Sequence, residues 1–198
     1  IDQRRILPEV EYAFSGILKP FQQQAAEVML SRDFGTLNAP TGCGKTVMAL
    51  YMIARRKQPA LIIVHTLELM NQWALRIRDF LNIPEADIGR IGAGCKRVGQ
   101  AVTLASVQSL YKCADEIRKH IGFLVVDECH RCPSRTFTDA VVAFDSRYML
   151  GLSATPWRAD GLSDLIFWHL GAIHHHLDKR HLIETGDVLT AEIILRET

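Results

Sequence analysis

The stretch that decides the fold is Ala39-Pro40-Thr41-Gly42-Cys43-Gly44-Lys45-Thr46. A short strand-like run, Gly35–Asn38, precedes it, and a helical pattern over Lys45–Arg56 follows. Strand, glycine-rich turn and helix in that order make the setting of a phosphate-binding loop. Glycines at 42 and 44 let backbone N–H groups turn inward toward phosphate oxygens. The helix opening near Lys45 adds the positive end of its dipole. Lys45 offers a point charge to the β- and γ-phosphates, and Thr46 offers a hydroxyl to Mg²⁺. The usual pattern begins with glycine, and here that position is Ala39, which is small enough not to block the loop. A glycine turn with an accidental lysine is the competing reading. Gly-Lys-Thr between a strand and a helix is hard to reach by chance.

Outward from this loop, brief apolar runs alternate with helical patterns. Ala60–His65, Val102–Ala105, Leu124–Asp127 and Tyr148–Ser153 read as strands. ALIIVH and FLVVDE are nearly continuous in Leu, Ile and Val, as suits strands covered on both faces. Phe21–Ser31, Leu67–Leu81 and Thr136–Phe144 read as helices, beside Lys45–Arg56. The expected fold is α/β, a central and mostly parallel sheet with helices on both faces. Ligands in such sheets bind beyond the carboxyl ends of the strands. After Gly161 the pattern weakens to a helix over Leu162–Leu170, a strand over Ala172–Leu177, a short helix over Lys179–Glu184 and a last strand over Glu192–Arg196.

Asp127 and Glu128 end the run FLVV. Adjacent carboxylates beyond an apolar strand cost desolvation energy unless a cation or hydrogen bonds compensate. Mg²⁺ held by Asp127 through water supplies that compensation, and Glu128 then orients and polarises the attacking water. A solvated strand end with a helix-capping acid is the plainer alternative, and the phosphate loop argues against it. Cys129 and Cys132 form a CxxC, but no second ligand pair at zinc spacing appears. His174, His175 and His176 fall in a strand, where successive side chains point to opposite faces, so they do not converge on one metal.

The 198 residues suffice for one α/β domain, and 48% apolar residues suffice for a core. A formal net charge of +1 excludes a globally basic nucleic-acid binder, so any basic footprint is local. No apolar run approaches the roughly 20 residues of a membrane span. The five cysteines show no disulfide spacing, which fits a reducing cytoplasm. The chain begins without Met and ends abruptly, which reads as a piece of a longer protein.

Six elements in order resemble the superfamily 2 helicases across essentially the whole chain. LKPFQ (18–22) looks like the element before the first strand, and APTGCGKT like motif I. IIVHTLELMNQW (62–73) looks like motif Ia, and VTLASVQSL (102–110) like a nucleic-acid contact. DECH looks like motif II, and GLSATPWRADG (151–161) like motif III with its extension. That extension points to the branch of excision-repair DNA helicases, phage recombination helicases and type III restriction-like motors. Where the repair helicases carry Arg-Glu-Asp, this chain has Arg158, Ala159 and Asp160, so the glutamate is lost.

The resemblance implies a single RecA-like ATP-binding domain over residues 1–198, using ATP and Mg²⁺ to move on or unwind DNA. It implies that Gln22 reads the adenine edge, beside Thr41, Gly42, Cys43, Gly44, Lys45 and Thr46 on the phosphates. Thr66, Gln72, Ser106, Gln108 and Arg158 would touch the nucleic-acid backbone. His130, Ser153 and Thr155 would couple nucleotide state to strand grip. Hydroxyls and amides suit phosphate contacts that carry no sequence information. Thr66 and Ser106 fit helix N-caps equally well, and Trp73 fits the apolar face of its helix better than base stacking. The arginine fingers of a second RecA-like domain are not found in this sequence. Such a finger contributes about 10³–10⁵ in rate, so the chain alone is expected to hydrolyse ATP negligibly. Other readings are a restriction motor subunit, an RNA helicase, a P-loop small-molecule kinase and a nucleotide-binding scaffold. The kinase leaves residues 102–110 and 151–161 unexplained, and Lys45, Asp127 and Glu128 argue against the scaffold.

Overall fold

A computed structural model describes residues 4–129, 134–154 and 168–187. The strands are β1 (Phe34–Asn38), β2 (Ala60–Val64), β3 (Gly89–Gly92), β4 (Cys95–Arg97), β5 (Val102–Ser106), β6 (Phe123–Val126), β7 (Tyr148–Ser153) and β8 (Ile173–His176). They form one sheet in the order β4-β3-β5-β2-β6-β7-β1-β8. Every pairing is parallel except that of β3 with β4. The helices are α1 (Pro20–Leu30), α2 (Lys45–Arg56), α3 (Leu67–Leu81), α4 (Val107–Leu110), α5 (Ala114–Ile117), α6 (Ser134–Val142) and α7 (Lys179–Glu184). The expected α/β architecture is present, with element limits shifted by a residue or two.

The continuous apolar runs are buried on both faces, and one strand shows how. In β2, Ile62 and Val64 join a core with Met48, Ile53, Trp73 and Ile77 of α2 and α3. Leu61 and Ile63 point the other way, toward Leu110 of α4, Ile117 of α5 and Val141 of α6. The side-chain period of two thus splits one run between two cores. Burying each such side chain contributes about 1.5–3 kcal/mol.

The antiparallel β3–β4 hairpin was not anticipated. Its strands hold four and three residues, with glycine or basic side chains at most positions. Ala93 and Gly94 turn it with φ of +50° and +79°, the backbone of a tight two-residue hairpin. Alanine there lacks the Asn-Gly signature that sequence reading relies on. Of the helix expected over Leu162–Leu170, only residues 168–170 are described, and they are helical. The strand expected over Glu192–Arg196 lies outside the described residues.

The segment before α1 straps the amino ends of the strands. Leu7 exchanges two hydrogen bonds with the buried Gln58 side chain, at 2.8 and 3.0 Å. The Tyr12 hydroxyl lies 2.8 Å from both the Gln58 and Ala101 carbonyls, which share its single proton. Burial pushes the Tyr12 phenol well above its ordinary range. The opposite, carboxyl ends of the strands are left to the candidate site.

Candidate functional site

Residues 39–44 turn from β1 into α2. Gly42 and Gly44 have φ of +85° and +88°, a region that a β-carbon disfavours. A β-carbon on Gly44 would also lie 2.4 Å from Nε2 of Gln22. Gly44 is the N-cap of α2 and offers no capping side chain. First-turn N–H groups have no partner inside a helix, so this cradle suits an anion. Gln22 lies under the loop: its Nε2 donates to the Cys43 carbonyl at 2.8 Å, and its Oε1 accepts from the Lys19 N–H at 2.9 Å. Cys43 is buried, and burial raises its thiol pKa.

Lys45 is 9% exposed. Its ammonium donates to the Ala39 carbonyl at 3.0 Å and stands 3.7 Å from Oε1 of Glu128. A buried lysine among carbonyls and one carboxylate is only partly compensated, which is the chemistry of a phosphate-binding charge.

The acidic pair turns out of β6. Asp127 is 8% exposed, with its N–H bonded to the Ile63 carbonyl at 3.0 Å. Burial pushes its carboxyl above the ordinary value of 3.8; the Glu128 charge adds to this, and the Trp73 bond, the Glu128 N–H and Lys45 oppose it. Its Oδ2 accepts from Nε1 of Trp73 at 2.8 Å, and its Oδ1 from the Glu128 N–H at 3.0 Å. Glu128 adopts φ of +46°. A non-glycine residue held in that region costs about 1–3 kcal/mol, and such strain gathers at functional sites.

Loop and acids share a cleft of ≈ 410 Å³. Its walls are Thr41, Gly42, Gly44, Lys45 and Thr46, then Gln72 and Arg76 of α3, then Asp127 and Glu128. Thr46 and Asp127, the candidate metal residues, both line it. Among the described residues no cluster of three His, Cys, Asp or Glu side chains could hold a metal. The donor set still fits Mg²⁺, which is bound through one or two carboxylates plus substrate phosphates.

Sheet order aligns the other candidates. Along the carboxyl edge lie Ser106 of β5, Thr66 after β2, the acidic pair after β6, Ser153 of β7 and the phosphate loop after β1. Ser153 is fully buried, and its carbonyl accepts from the Ala39 N–H at 2.9 Å. Thr66 is the N-cap of α3, its hydroxyl accepting from the Leu69 N–H at 3.2 Å. Ser106 occupies the N-cap of α4, but its hydroxyl pairs with that of Ser109 at 3.0 Å. Gln108 is exposed on α4. Gln72 lies on the wall of the cleft. His130, Thr155 and Arg158 lie outside the described residues.

Sequence reasoning missed three features. Trp73 was expected only as packing, and it is 2% exposed, but it also holds Asp127. The indole N–H of a buried tryptophan needs a partner, which is the signal that pointed there. Arg76 shares the helix stripe of Leu69 and Gln72 and so reaches the cleft. His65 Nε2 lies 3.0 Å from the Glu128 carbonyl, and no local pattern indicated that.

Residues 15–158 match the family described as type III restriction enzyme, res subunit. The DNA 3'-5' translocase XPB2 of Sulfurisphaera tokodaii is 36% identical over 148 residues, covering 75% of this chain and 33% of that protein. The putative ATP-dependent RNA helicase L396 of Acanthamoeba polyphaga mimivirus is 32% identical over 174 residues, covering 85% and 33%. The UvsW helicase of bacteriophage T4 has the same fold, with a TM-score of 0.70 at 20% identity over 88% of this chain and 70% of that one. The chain therefore spans 33% of the length of either of these two curated relatives.

Proposed function

This chain belongs to the family of type III restriction enzyme res subunits, and we propose that it is the ATP-binding half of an ATP-dependent DNA helicase or translocase. The observation that carries this reading is the cleft itself. Lys45 and Glu128 face each other at 3.7 Å, between a glycine cradle and a row of strand ends bearing Ser106 and Thr66.

In this reading the amides of residues 42–46 and Lys45 bind the triphosphate, and Gln22 reads the adenine edge. Thr46 and Asp127 would hold Mg²⁺, Asp127 through water. The ion, when bound, neutralises phosphate charge and polarises the γ-phosphoryl group. Glu128 orients the attacking water and accepts its proton. Trp73 keeps Asp127 in a fixed direction. Thr66, Gln72, Ser106, Gln108 and Arg158 contact the sugar–phosphate backbone. His130, Ser153 and Thr155 couple the two sites. A second RecA-like domain supplies the arginine fingers, and the cytoplasm is the compartment.

The relative named as a DNA 3'-5' translocase supports DNA as the track, and the family description also fits the motor of a restriction system. Glu128→Gln in the full-length protein tests the assignment. ATP affinity should stay within about twofold of wild type while turnover falls by at least about 10². Unchanged steady-state hydrolysis would refute it.

A further inference from the structure

The left-handed backbone of Glu128, at φ +46°, is gripped from two sides. Its N–H donates to Oδ1 of Asp127 at 3.0 Å. Its carbonyl lies 3.0 Å from Nε2 of His65. A carbonyl oxygen only accepts, so Nε2 carries the hydrogen and donates it. His65 stands between the end of β2 and Thr66, the N-cap of α3. Two turns into α3, Trp73 donates its own ring N–H to Asp127 at 2.8 Å. The β2–α3 segment therefore holds each acid by one ring nitrogen, Asp127 through its carboxylate and Glu128 through its peptide.

The consequence is directional. A carboxylate on a peptide that can rotate points at no fixed water. Leaving the left-handed region would swing the Glu128 side chain away from Lys45, which it faces at 3.7 Å. Nε2 of the imidazole is tied to a backbone oxygen, so what this ring nitrogen does is hold that peptide. Its neighbour Thr66 is a proposed nucleic-acid contact, and one peptide bond separates the two residues.

We propose that His65 is a positioning residue for ATP hydrolysis: its Nε2–H locks the Glu128 peptide and so fixes the direction of the Glu128 carboxylate. This rests on the reading of the cleft as an ATPase site. Loss of the bond leaves the phosphate cradle intact, so it acts on turnover and not on ATP capture.

The test compares His65→Ala and His65→Gln in the full-length protein at saturating single-stranded DNA. Glutamine carries an amide N–H that can reach the same carbonyl. His65→Ala should lower kcat about tenfold, the worth of one lost positioning bond. The KM for ATP should stay within about twofold. His65→Gln should recover at least about half of the wild-type kcat. Melting temperatures of both variants separate positioning from folding: a structural role predicts that kcat follows stability and that KM moves with it. Wild-type kcat in His65→Ala overturns the proposal, as does a fall in kcat that glutamine leaves uncorrected in a folded protein. Absence of hydrolysis in the wild-type protein itself instead overturns the reading of the cleft, and a failure of Lys45→Ala to abolish turnover does the same.

Discussion

Trp73 donates its indole N–H to Asp127 at 2.8 Å, and both side chains are more than nine-tenths buried. The bond joins the apolar face of α3 to the carboxylate assigned to the metal. Trp73→Phe keeps most of the packing and removes the donor, leaving a buried acceptor short of a partner. The expected cost is about 1–3 kcal/mol of stability, read by urea denaturation. A change below about 0.5 kcal/mol would show that the bond contributes nothing net.

Asp127 also sets a pH dependence. Its carboxyl pKa in the fold lies above 3.8, first because of burial. The folded chain then retains a proton that the unfolded chain has released. Stability from this group is fully present below pH 3.8 and is lost as pH rises through the higher folded value. The difference in unfolding free energy between wild type and Asp127→Ala should fall across that window. A difference that rises with pH would contradict the assigned direction.

Gly44 combines φ of +88° with a β-carbon position 2.4 Å from Gln22. Gly44→Ala should cost about 1–2 kcal/mol through the backbone alone and weaken nucleotide binding by about tenfold or more. Gln22 is itself assigned to the adenine edge, so the double variant is compared with Gln22→Ala alone. The contact is then absent from both, the dihedral strain remains, and Gly44→Ala should still weaken binding. Calorimetric titration with a non-hydrolysable ATP analogue checks these variants. Equal affinity of Gln22→Ala with and without Gly44→Ala would place the whole effect in the contact.

Much of this was legible in the chain. Lys45 and Thr46 are read from their place between a strand and a helix, because a phosphate cradle requires that local order. Asp127 and Glu128 are read from the cost of placing two acids after FLVV. The β3–β4 hairpin was not legible, since its two strands are short and its turn carries alanine. Nor was the link from His65 to Glu128, which joins residues 63 positions apart. It depends on β2 and β6 being neighbours in the sheet, and sheet order is a tertiary property that local periodicity does not encode.

The most direct measurement is steady-state ATP hydrolysis by the full-length protein with single-stranded DNA, duplex DNA or RNA, each in wild type and Lys45→Ala. A DNA-driven motor predicts hydrolysis that rises at least about tenfold with DNA, rises less with RNA and disappears in Lys45→Ala. Hydrolysis indifferent to nucleic acid, or persisting without Lys45, would contradict it.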